Sequence, residues 1–425
     1  MSLTTALGAT TRLRRALAHR TRRLAALLHV PSDRDLVISF LFPPANETAG
    51  IVMAKRLRDW PRDVDVIANE PPRVRPPDPG TLKIAGPRVK RVARVKGKRN
   101  PLKDWTVVAS FVAKGDAEIS RFERTRGPYR RVYSRAMMPA SHFLAMQYKL
   151  RRPSVRWTAE FSDPLMYDTH GARRTTPTGG HPLARAVAAK VTARGVTLTD
   201  PDDLFELVEY GAYVLADTIV FTNDIQRDLM LSKITDDGLR AEVRAKSEIW
   251  PHPSPAPGLY DAVEPRATTD PDRLEIAYFG AFYTRRGAAD IIAPASRLTA
   301  AERTGVRLRI FTDKTAPVQT AVDDAGLTDC VEVHGYVPFL EFLALAKRSD
   351  LLMLADARVA ESHDANPYLP SKLSDYRGSG TPVWALVEPG SPLSAVTGIV
   401  TTPLDDIDAQ TAYLRSVLAS RQQQD

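Results

Sequence analysis

The chain has 425 residues, 43% hydrophobic and 26% charged, enough apolar material for two or three packed domains and too much for a disordered or fibrous chain. No run approaches the ~18 consecutive apolar residues of a membrane-crossing helix, and a lone cysteine, Cys330, excludes an internal disulfide or cysteine-rich zinc site and suits a reducing cytosol. The net charge of +9 is concentrated at the front, where residues 1–104 hold 22 Lys and Arg against 9 Asp and Glu.

That imbalance argues for a local anionic partner rather than a uniformly basic surface. Residues 11–28, TRLRRALAHRTRRLAALL, place Leu13, Leu17, Leu24, Leu27 and Leu28 on one side of a helix of about 100° per residue, with Arg20 intruding on the stripe. Arginines interrupt every apolar stretch that a secretory signal would need. The segment reads as a basic leader over 1–30, suited to solvent, to an anionic membrane surface or to a partner helix. DLVISFLF (35–42) is the continuous apolar run of a doubly buried parallel strand. The helix pattern IVMAKRLRDW and the strand VDVIAN (64–69) complete a βαβ unit.

Residues 71–104 interrupt the rhythm with seven prolines, and 82–103 carry nine basic residues and no acid, so a long basic insertion is expected. WTVVASFV (105–112) is expected to resume the strands, followed by VRWTAEF (155–161) and ADTIVFTN (216–223). Six prolines in 251–271 mark a connector. The expected organisation is a first domain over 31–255, a linker over 256–272 and a second βα domain over 273–425. Both domains read as Rossmann-like.

No Walker A, HExxH, GxSxG or GxGxxG sequence is present, and the eight histidines lack metal-ligand spacing. Residues 83–103 have no interleaved aromatic to stack on bases, which disfavours nucleic acid. In YFGAFYTRRGAADII (278–292) a strand ends at Gly280, the turn carries Arg285 and Arg286, and Gly287 opens a helix. Helix N-terminal amides flanked by two guanidinium groups can cradle a diphosphate, although a solvated loop is an equal reading of that segment alone. In NPYLPSKLSDYRGSGTPVWAL (366–386), Lys372, Asp375 and Tyr376 share one helical turn after Pro370.

Together these segments resemble the nucleotide-sugar half of GT-B glycosyltransferases, most closely glycosyltransferase family 4. The resemblance implies two Rossmann-like doubly wound domains facing a central cleft. It also implies retaining, metal-independent sugar transfer from a nucleotide diphosphate to a glycan, lipid-linked or other hydroxyl acceptor, in cell-surface polysaccharide or glycolipid synthesis. By the same resemblance Gly50, Arg285, Arg286, Ser371 and Lys372 meet the donor phosphates. Gly335, Tyr336 and Val337 of CVEVHGYVPF read the base, and Asp375 holds the ribose. The first Glu of the family's E-x7-E motif would fall at Pro367, leaving its place to Asn366 or loop amides. Ala281 stands where the phosphate loop often has arginine. EFSDP (160–164) occupies the position of a frequent His-Asp pair, making Asp163 and Glu160 the catalytic candidates, with capping of the next segment as their alternative role. His142 and Glu209 are weaker candidates. No metal or other cofactor is expected. A cytoplasmic enzyme, peripheral at the inner face of the plasma membrane through residues 11–28 and 82–103, completes the expectation. The rival readings are a GT-B nucleotide-sugar epimerase and a non-catalytic basic protein associated with membrane or nucleic acid.

Overall fold

The computed structural model describes residues 31–70, 76–97, 102–283, 285–359, 362 and 365–422. The leader over 11–28 lies outside them. The N-terminal domain runs β1 (Asp35–Ile38), α1 (Thr48–Arg58), β2 (Val64–Asn69), two short 3-10 turns, β3 (Val89–Val95), α2 (Trp105–Arg126), β4 (Arg131–Ala136), α3 (Ala140–Arg151), β5 (Arg156–Phe161), α4 (Pro182–Ala193), α5 (Leu204–Leu215), β6 (Thr218–Phe221), α6 (Asp224–Ser232), α7 (Asp237–Ala245) and β7 (Ser247–Ile249). After a proline-rich connector come β8 (Leu274–Phe279), α8 (Ala288–Ser296), α9 (Ala300–Thr304), β9 (Val306–Phe311), α10 (Thr315–Asp324), β10 (Val331–His334), α11 (Phe339–Arg348), β11 (Leu351–Ala355), α12 (Lys372–Ser379), β12 (Val383–Val387), β13 (Val400–Pro403) and α13 (Ile407–Gln422).

Two parallel sheets result, ordered β3-β2-β1-β4-β5-β6-β7 and β10-β9-β8-β11-β12-β13. In each, strand order reverses beside the first strand of the domain, and the crevice at that switch point is where open α/β sheets bind ligands. β1 and β2 register from Asp35 opposite Val64 to Ile38 opposite Ile67, while β8 registers Leu274 against Val306 through Phe279 against Phe311. The C-terminal ends of β1 and β8 therefore open toward one interdomain cleft.

Two expectations are corrected. Residues 105–112 begin α2 rather than a strand, because the buried set Trp105, Val108, Val112, Gly115, Ile119 and Phe122 repeats at alternating steps of three and four. Asp104 fixes its start by accepting the Thr106 amide at 2.8 Å. The basic stretch 82–103 is not only an insertion: VKRVARV forms β3, the edge of the first sheet. Edge strands tolerate and use outward Lys and Arg, which discourage pairing with another chain.

Three apolar clusters hold the chain. One lies within the first domain and one covers a face of the second sheet. The third is shared: Val37, Ile51 and Leu57 belong with Phe279, Leu340 and Leu354 to a single buried cluster. The domains are thus joined by an apolar seam as well as by the connector. Among the described residues no helix is long and apolar enough to cross a membrane.

Candidate functional site

The cleft holds two adjoining cavities of about 380 and 110 Å³. Both are lined from both domains, and Thr48, Phe279, Gly280, Ala281 and Lys372 border each of them. The helices α1 and α12 begin here, and neither N-terminus has a side-chain cap. Their first-turn amides and dipoles favour an anion.

Side chains reinforce that preference. Arg286, Lys372 and Arg135 line the larger cavity, where Asp163 is the one carboxylate among the described residues. The Arg286 guanidinium lies 5.3 Å from the centroid of the Tyr283 ring and its Nε points at the Asp356 carbonyl at 3.4 Å. Lys372 Nζ sits 3.8 Å from the centroid of the Phe342 ring, between the two cavities. Ser371 lines the larger cavity at the α12 N-cap. Burial raises the Asp163 carboxyl, with Arg135 and Arg174 opposing.

The smaller cavity is an aromatic slot. Phe279 and Phe311 stack with centroids 4.6 Å apart, and Tyr336 and Val337 close the side. Tyr336 donates its hydroxyl to Asn46 Oδ1 at 2.6 Å, reaching across the cleft. Gly335 is exposed and does not line either cavity.

Other candidates lie elsewhere. Glu160 is fully buried behind the cleft, where it accepts hydrogen bonds from Arg56 at 3.0 Å, Arg135 at 2.8 Å and the Tyr133 hydroxyl. Burial alone would raise its carboxyl, but the two arginines and Tyr133 hold it down at about 2. It is a fixed anion that aims Arg135, not a proton carrier. Arg285 leaves the cavity to bridge the domains, contacting His170 Nδ1 at 3.0 Å, the Arg358 carbonyl at 3.2 Å and Ser362 Oγ.

Asp375 is turned away from both cavities into the seam. Lys55 Nζ donates to its Oδ1 at 2.7 Å and to Ser374 Oγ at 2.8 Å. Burial lowers the Lys55 ammonium, against the pull of Asp375. Gly50 is explained by packing: an added Cβ would stand 3.0 Å from the Leu41 carbonyl carbon and the Phe42 nitrogen. It lets α1 approach the loop after β1, and the neighbouring Thr48 and Ala49 border the larger cavity.

Asn366 does not enter the cavity either. Its Nδ2 donates to the Ala357 carbonyl at 3.0 Å and to Glu388 Oε2 at 2.9 Å, which props the loop before α12. His142 is a core residue on Ser134, pushed down to about 3 by burial. Glu209 caps the Leu165 and Met166 amides at 2.7 Å outside the cleft. Among the described residues no three His, Cys, Asp or Glu side chains cluster as metal ligands.

Two further residues line the larger cavity, Arg135, which nothing in the sequence marks, and His252, which between two prolines reads in sequence as structural. Burial, with Arg135 and Lys55 adding to it, pushes the His252 imidazole well below its ordinary range, so it is neutral, and its Nδ1 has no hydrogen-bond partner among the described residues. The only signal for either was position: β4 ends one residue after Arg135, and His252 follows β7 by two residues beyond Trp250.

No protein-family model matches the chain, and no curated protein matches it in sequence. Solved structures do match its fold. Sucrose-phosphate synthase from Thermosynechococcus elongatus aligns with a TM-score of 0.54 and 13% identity over 91% of this chain and 90% of that one. The catalytic domain of starch synthase IV from Arabidopsis thaliana, bound to ADP and acarbose, aligns at 0.55 and 10% identity over 92% of each chain. A UDP-N-acetylglucosamine 2-epimerase aligns at 0.50 and 11% identity over 91% of this chain and 87% of that one. The chain has the GT-B fold, as the sequence predicted.

Proposed function

We propose that this protein is a glycosyltransferase that moves a sugar from a nucleotide diphosphate donor to a hydroxyl acceptor. The observation that carries the reading is the convergence of two uncapped helix N-termini with Arg286, Lys372 and Arg135 on one cavity that adjoins an aromatic slot. The slot suits a base and the cationic cavity a diphosphate. The starch synthase domain that shares the fold is bound to ADP and acarbose, which supports a nucleotide in this cleft.

In this reading the cationic side chains and helix ends carry the charge that develops on the departing diphosphate, with no metal required. The bond from the anomeric carbon to the donor phosphate breaks as the acceptor oxygen bonds to that carbon, and the acceptor proton passes to a phosphate oxygen. The acceptor enters from the N-terminal domain, where Asp163 can accept a hydrogen bond from a sugar hydroxyl. Retention of configuration, a family 4 relationship and a glycan or lipid-linked acceptor at an anionic cytoplasmic membrane surface belong to the same proposal.

The test is a thermal-shift screen of UDP-, GDP-, ADP- and TDP-sugars, followed by acceptor trials with the best donor. A stabilising donor whose sugar appears on an added acceptor is the expected result. The epimerase that shares the fold favours one alternative, in which the donor sugar changes configuration without any acceptor. Failure to bind any nucleotide sugar would overturn both.

A further inference from the structure

The N-terminal domain carries another cavity that the proposed reaction does not use. It is an open pocket of about 390 Å³ where α2 gives way to β4 and where β5 begins. Arg131 and Arg156 open those two strands, Arg130 stands just before β4, and Arg152 caps the end of α3. Among the described residues no carboxylate lines the pocket. Because the strands are parallel, it lies at the opposite end of the sheet from the cleft. Six strand residues at ~3.3 Å each separate the two by roughly 20 Å.

The charge here is incompletely balanced. Arg131 approaches Asp35 only to 3.9 Å and Arg152 approaches Glu123 to 3.5 Å. Arg130 and Arg156 are exposed, and among the described residues neither has an ion-pair partner. Four guanidinium groups around one concavity repel one another, and an anion seated among them relieves that repulsion. Guanidinium forks match the oxygens of a phosphate group, and the exposed Ser154 hydroxyl adds a donor.

We propose that this arginine pocket binds a phosphate group at a site separate from the cleft. The phosphate comes either from a soluble phosphate ester or from a lipid headgroup. The site stands whether or not the cleft takes a nucleotide sugar.

The experiment uses the full chain and a double variant, Arg130→Ala with Arg156→Ala. Both side chains are exposed, and a melting curve checks that the fold is retained. Inorganic pyrophosphate is titrated calorimetrically into wild type, the double variant and Arg286→Ala. Wild type should show two classes of site; the double variant should weaken one by roughly tenfold or more, and Arg286→Ala only the other. Sedimentation with phosphatidylcholine vesicles, with and without phosphatidylglycerol, then separates the sources. Reduced recovery of the double variant on the anionic vesicles assigns the headgroup, and unchanged recovery beside weakened pyrophosphate binding assigns the soluble ester. A double variant that matches wild type with both probes overturns the proposal. A defective cleft would show instead as absent nucleotide-sugar binding, which leaves this comparison intact.

Discussion

Adjacent arginines in one turn have separate jobs. Arg286 lines the larger cavity, whereas Arg285 bonds Ser362 in its own domain and reaches His170 in the other. Arg286→Ala should therefore weaken donor binding by about 1.5–3 kcal/mol, the worth of a charged hydrogen bond, without loss of fold. Donor affinity by calorimetry checks this, and unchanged affinity removes Arg286 from the site. Acid stability is also set by single residues. Glu160 is held at about 2, below its ordinary 4.5, so its stabilisation is present above pH 4.5 and is lost as pH falls toward 2. His142 is held at about 3, below 6.5; the unfolded chain takes up a proton first, so stability falls as pH drops below 6.5. His252 is depressed in the same direction. His142→Phe should flatten the melting temperature between pH 6.5 and 4.5, leaving the Glu160 decline below it and part of the upper slope to His252. A melting profile as steep as wild type over that range refutes the assignment.

At the scale of elements, α1 depends on one close approach. Gly50→Ala would push a methyl group to 3.0 Å from backbone that cannot rotate away, so α1 must shift and carry Thr48 and Ala49 out of the cavity wall. A loss of about 1–3 kcal/mol of stability, with weaker donor binding, is expected from denaturant titration and calorimetry. Wild-type values for both would mean that the loop after β1 yields instead. Elements with long, unmixed patterns were legible in the sequence: DLVISFLF, VDVIAN, LEIAYFG and DLLMLAD all contain strands. The failures share a cause. WTVVASFV is too short a window to separate a helix from a strand, and the period that decides it emerges only by Phe122. RVYSRA does not read as a buried strand because Ser134 and Arg135 look like surface residues. They are buried only because His142, Trp157 and Glu160 wait to bond them.

At the scale of the molecule, the Lys55–Asp375 pair stitches α1 to α12 inside the apolar seam. Removing one partner strands a buried charge. Lys55→Met or Asp375→Asn should each cost about 3–5 kcal/mol, and Lys55→Met with Asp375→Leu should recover most of it. Chemical denaturation of the three variants measures the coupling, and additive losses would show that the pair is not a unit. Because the seam is continuous, both domains of the wild type should unfold in one transition, and the single variants should split it.

The sequence by itself determined the two parallel sheets, since buried parallel strands and their helices write their periods into the chain. The segments 278–292 and 366–386, which carry the resemblance, both border the cleft. Only the tertiary structure decided which side chains face it. Asp375 and Arg285 lie at the expected positions, but Asp375 is bound to Lys55 and Arg285 to His170, while Arg135 and His252, from distant segments, enter the cavity. Sequence motifs fix a residue's place along its element. The direction a charged side chain takes depends on which hydrogen-bond partner the fold brings within reach, and those partners stand 320 and 115 residues away.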